Sequence, residues 1–138
     1  MATVAFSLIS IPLSATLFRS FIDKGYAFSR ILGIIIVSYI VFVLTTFHVS
    51  GFSLMTIYFS LLMYLLLNIV IHKKVRPKTP SIKIIVGYEL LLLTSYLFWS
   101  YVKGHEPTIR SLEKYMDFGF INSILNSTYL PPQDPWFA

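Results

Sequence analysis

Cysteine is absent from this chain, which excludes disulfides and thiolate metal sites and leaves the redox compartment without a mark. Charge is scarce as well. Only 12% of the 138 residues are charged, against about a quarter in an ordinary soluble domain. No glycine-rich phosphate loop, Ser-His-Asp set, internal repeat or low-complexity tract occurs in the sequence. What is abundant is apolar: 56% of residues are hydrophobic and 17% aromatic. The net charge of +5 does not point to nucleic acid, because the cations fall between apolar runs, where they orient membrane helices.

Four such runs stand out, at about 3–18, 31–47, 52–71 and 84–102. The first is short, diluted by Ser and Thr, and interrupted by Pro12. A straight span needs about 20 residues, so the first run is expected to be a short or truncated helix. No Lys or Arg precedes it, which argues against a signal peptide. The other three are long enough to cross. The third carries Asn68, and the fourth contains Glu89 with Tyr88, Tyr96, Trp99 and Tyr101 along it. The expected fold is therefore all-α, a polytopic membrane protein with about four transmembrane helices over 1–102.

Orientation follows from the cations. The Arg19–Arg30 loop holds Arg19, Lys24 and Arg30, and the His72–Lys83 loop holds Lys73, Lys74, Arg76, Lys78 and Lys83. The His48–Gly51 turn holds none, and the tail offsets Lys103, Arg110 and Lys114 with four carboxylates. Cytoplasmic loops carry the excess of Lys and Arg, so the first and third loops are expected inside. The segment 103–138 is then extracytoplasmic, at the cell membrane.

In that tail Pro107 and Thr108 end the fourth helix, and Ser111 is placed to cap a new one. Leu112, Met116, Phe120 and Ile124 recur every four residues, which predicts an outward-facing juxtamembrane amphipathic helix over about 111–126. Pro131, Pro132 and Pro135 then enforce an extended exit.

Candidate chemistry gathers in the same stretch. Glu113 and Asp117 are four apart, on one helix face, where like charges repel unless a cation or neighbouring base relieves them. Arg110 and Lys114 each stand three residues before one of these acids. The plainer reading is a solvated helix face. Glu89 is ionisable within a span, expensive there and expected to face the bundle interior; it locks helices together, or lies near the interface if the span starts later, or relays protons in a transporter. His48, His72 and His105 each flank a span end in different loops and make no common metal site. Asn126-Ser127-Thr128 matches a glycosylation acceptor.

The tail "EKYMDFGFINSILNSTYLPPQDPWFA" resembles the motif of the YYY family, prokaryotic membrane proteins with a domain of unknown function. The matching positions are Glu113, Lys114, Met116 and Asp117, then Phe120, Ile121 and Asn122, then Pro131, Pro132, Asp134, Pro135 and Trp136. Upstream, "IPLSATLFRSFIDKGYAFSRILGIIIVSYIVF" resembles the family's first segment, so the likeness runs through nearly the whole chain. Gly119 departs from the pattern, where members more often have Ala. Members continue through Gly-Tyr to a Tyr-Tyr-Tyr run and further spans, so the resemblance implies the N-terminal part of a longer protein, or one half of a split pair.

The family is in turn similar to GT-C membrane glycosyltransferases. What that similarity implies is an enzyme that takes sugar from a lipid-phosphate donor at the outer face of the bilayer. Asp117 would be the base or a metal ligand, Glu113 its partner, and Lys114 the charge on the phosphate. Arg110, Asp134 and Trp136 would contact substrate, Trp136 by stacking on a sugar or headgroup. The cofactor stays open, a divalent metal ion on Asp117 and Glu113 being one choice. The alternative is a small non-catalytic membrane protein, a scaffold or partner subunit whose outer helix docks another chain.

Overall fold

The computed structural model describes residues 2–105 and 112–132. Every regular element among them is a helix: α1 (Ala2–Ile9), α2 (Ile11–Leu17), α3 (Tyr26–Thr46), α4 (Leu54–Val75), α5 (Ile82–His105) and α6 (Leu112–Asn126). Three of these, α3, α4 and α5, are long and apolar enough to cross a bilayer, at 21, 22 and 24 residues.

The stretch read as one span over 3–18 forms two short helices of 8 and 7 residues. Pro12 sits at the start of α2, where its missing N–H costs nothing but its ring prevents a continuous ladder from α1. Ser10 fills the joint: its hydroxyl donates to the Phe6 carbonyl at 2.7 Å.

α1 to α4 pack together, and their interior is built from small and hydroxyl-bearing residues. The buried positions on α3 are Tyr26, Ser29, Gly33, Val37, Val41 and Thr45, a stripe of three- and four-residue steps along one face. On α4 they are Thr56, Ser60, Tyr64 and Asn68, again four apart. The large aliphatic side chains point the other way: Ile34, Ile35, Leu62 and Leu66 are all exposed. A water-soluble bundle buries its aliphatics; this arrangement suits lipid, where small residues let helix backbones approach. The buried hydroxyls do not compete for partners, because Ser29, Thr45 and Ser60 donate back to carbonyls of their own helix.

Glycine is required at two points. Gly25 opens α3 with a φ of 73°, and a Cβ there would meet the Phe18 ring at 2.6 Å. Gly33 lets α3 press on the α1–α2 joint, where a Cβ would come within 2.5 Å of Ser10 Oγ. Ahead of Gly25, Asp23 receives the Gly25 and Ala27 amides on its two oxygens, so the helix starts five residues earlier than the apolar run itself. At the far end of α4, Arg76 adopts a left-handed conformation and returns its amide to the His72 carbonyl, a common helix stop before a proline.

The bundle thus has two unlike ends. The 18–25 loop and the 76–81 connection lie together at one, since Arg19 and Lys24 share a cavity with Arg76 and Lys78. The short α3–α4 turn lies at the other.

Candidate functional site

α6 belongs to the end away from the basic loops. The Phe52 amide in the α3–α4 turn donates to the Thr128 carbonyl at 2.7 Å, and the His48 and Tyr129 rings approach to 4.4 Å between centroids. These contacts tie the exit of α6 to the turn. Upstream on the helix, Lys114 and Asp117 are exposed, as are Tyr115, Met116, Phe118 and Phe120. Lys114 precedes Asp117 by three residues, within one helical turn. Glu113 lies in the first turn of α6, of which the backbone is described. Arg110, Asp134 and Trp136 lie outside the described residues, as do the helix break at Pro107 and the cap at Ser111.

A hollow lined by Ser123, Asn126, Thr128 and Tyr129 opens beside the same tether. Its hydroxyl, amide and ring surfaces sit at the exit of the helix that carries Asp117.

The second polar constellation lies within the spans, toward the basic end. Arg30, the fifth residue of α3, reaches Glu89, the eighth of α5. One guanidinium nitrogen lies 2.7 and 2.8 Å from the two carboxylate oxygens. The Tyr26 hydroxyl donates to the same carboxylate at 2.8 Å, and Arg30 Nε donates to Ser7 Oγ at 2.9 Å. The side chains of Arg30 and Glu89 are 20% and 25% exposed. Three helices, α1, α3 and α5, therefore meet on one charge pair. Burying either ion alone would be costly, and mutual neutralisation removes most of that cost.

Glu89 thus takes the locking role, with a partner that sequence reasoning had counted as a loop cation. The usable signal was Asp-Lys-Gly at 23–25. An Asp able to cap and a glycine able to turn place the start of α3 at Tyr26, which carries Arg30 into the helix. His48 stands against Tyr129, and His105 Nδ1 is 2.8 Å from the Tyr101 carbonyl of its own helix. No cluster of three His, Asp or Glu residues suited to a metal occurs among the described residues.

The family profile described as "Uncharacterized membrane protein (DUF2298)" matches residues 36–138. No curated protein and no solved structure matches the chain. The matched segment runs from the middle of α3 through the tail motif and takes in most of the chain, which therefore belongs to this family of uncharacterized membrane proteins.

Proposed function

We propose that this chain is the N-terminal part of a GT-C-like integral membrane glycosyltransferase, multi-pass in the cell membrane, that draws sugar from a lipid-phosphate donor. The observation that carries the reading is the tether between Phe52 and Thr128. It holds α6, with its acid and base, at the end of the bundle opposite the basic loops. By the distribution of cations that end is extracytoplasmic, the side on which a lipid-linked donor of this kind is used.

The chemistry asks little of the chain but asks it in one place. An acceptor hydroxyl attacks the anomeric carbon, its proton passes to the Asp117 carboxylate, and the bond from that carbon to the phosphate oxygen breaks with its electron pair leaving on the lipid phosphate. Lys114 and Arg110 supply positive charge to that leaving group. Glu113 stands one helical turn from Asp117 and serves as its partner acid. Asp134 and Trp136 complete the substrate contacts, Trp136 by stacking on the sugar. Asp117 and Glu113 offer the hard oxygen donors that a divalent ion shares with substrate phosphate; such an ion would supply charge neutralisation.

The test is transfer from a synthetic polyprenyl-phosphate sugar by the full-length protein in liposomes. Asp117→Asn is expected to lower turnover by roughly 10²- to 10⁴-fold, the usual contribution of a positioned base. Turnover left within a few-fold of the parent removes Asp117 from the chemistry.

A second reading has one observation in its favour. No residue of α5 is fully buried by the rest of the chain, and from Leu90 to His105 every residue is exposed, so most of its length is open to lipid or to another chain. A scaffold or partner subunit uses that surface, and its function is insensitive to Asp117→Asn.

A further inference from the structure

We infer that the cavity between the 18–25 loop and the α4–α5 connection binds the phosphate of an anionic phospholipid headgroup. The cavity measures about 280 Å³ and is lined by Arg19, Lys24, Arg76 and Lys78 around an apolar floor that includes Ala15 and Val75. Its four cations come from two connections far apart in sequence, and the fold turns them toward one concavity. Lys24 is pinned there by donating its ammonium to the Arg19 carbonyl at 2.9 Å.

Nothing of opposite charge sits among them. Asp23 is the nearest carboxylate in sequence, and both of its oxygens are taken by the Gly25 and Ala27 amides. Glu89 is occupied by Arg30 and Tyr26. Among the described residues the side chains of Arg19, Arg76 and Lys78 have no ion-pair partner. Holding like charges together without a counter-ion is unfavourable, and a bound anion reverses the balance.

The chemistry of the lining selects phosphate. Two guanidinium groups offer planar, paired donors that match phosphate oxygens, and two ammonium groups add point charge. The position selects a lipid. The cavity lies where α4, a helix with the length and hydropathy of a span, ends at Val75 and Arg76, a position that corresponds to headgroup depth. Basic pockets between transmembrane helices at the cytoplasmic side take acidic headgroups in this way. This site stands apart from Asp117, at the opposite end of the bundle, and does not depend on the transferase reading.

The experiment uses the full chain in nanodiscs of phosphatidylcholine with phosphatidylglycerol, with retained lipid counted by native mass spectrometry. Arg19→Gln with Arg76→Gln is compared with Lys74→Gln with Lys83→Gln, which removes the same charge at the same end but outside the cavity. Each cation near a headgroup contributes enough for the cavity pair to lower phosphatidylglycerol retention by about tenfold or more. The control pair is expected to change it by less than about twofold. Equal losses in the two pairs would reduce the cavity to diffuse surface charge and overturn the inference. So would a wild-type chain that retains phosphatidylglycerol no better than phosphatidylcholine. Thermal protection by millimolar inorganic phosphate without retained phosphatidylglycerol would overturn the assignment to lipid.

Discussion

The guanidinium of Arg30 on α3 bridges both carboxylate oxygens of Glu89 on α5, at 2.7 and 2.8 Å. Beside it α5 only half-buries Ile84, Ile85 and Tyr88, and the helix is exposed from Leu90 onward. The position of α5 thus depends on a polar contact far more than on packing. Arg30 lies about 6 Å along α3 and Glu89 about 10 Å along α5, counting 1.5 Å of rise per residue. The pair is set below the basic end, within the apolar stretch.

Removal of one partner strands the other. Glu89→Gln and Arg30→Gln are each expected to destabilise the docking of α5 by about 1.5–3 kcal/mol, the range for hydrogen bonds to charged groups. The double replacement Arg30→Gln with Glu89→Gln should cost less than the sum of the two single losses, because no unpaired ion remains. A double-mutant cycle measured by unfolding in detergent checks this. Strictly additive losses would mean that the two side chains are not coupled.

Asn68 satisfies two helices at once. Its Oδ1 accepts from the Leu13 amide at the start of α2, and its Nδ2 donates to the Tyr64 carbonyl. Asn68→Leu keeps the volume but leaves the Leu13 amide without this partner, at an expected cost of about 1–3 kcal/mol. Tyr64→Phe removes one neutral bond to Ser10 and leaves Ser10 bonded to Phe6. It should cost about 0.6 kcal/mol, the mean for bonds between helices in membranes. The ranking of the two variants in thermal unfolding is the readout.

Two glycines offer a matched contrast. Gly33→Ala puts a methyl group within 2.5 Å of Ser10 Oγ and should destabilise by about 1–3 kcal/mol through overpacking. Gly87→Ala on α5 meets nothing within 4 Å. It should be neutral or slightly stabilising, since Ala is the better helix former. Similar effects at both positions would contradict the close approach of α3 to the α1–α2 joint.

The long helices were legible in the sequence because membrane spans are written in composition: a run of Ile, Val and Leu has no other low-energy place. Their ends were less so. Tyr26 to Arg30 joins α3 through the Asp23 cap and the Gly25 turn, a local effect that hydropathy does not register. The break at Ser10 follows from Pro12, visible beforehand as an interruption but silent about which residue would fill the joint. The partnership of Arg30 with Glu89 spans 59 residues, and no spacing rule reaches across such a distance. The acids of α6 were legible as chemistry-bearing residues. Their side, away from the basic loops, was expected from the cation count, whereas the contact that holds them there, from Phe52 to Thr128, was not legible.

The central claim is that α6 and the basic loops lie on opposite faces of the membrane, and the absence of native cysteine makes it directly measurable. A single thiol introduced by Lys114→Cys, and separately by Lys78→Cys, is treated in intact cells with a membrane-impermeant maleimide. The account predicts labelling at position 114 without permeabilisation, and labelling at position 78 only after it. Labelling of both positions from the same side, or of position 78 alone in intact cells, would contradict it.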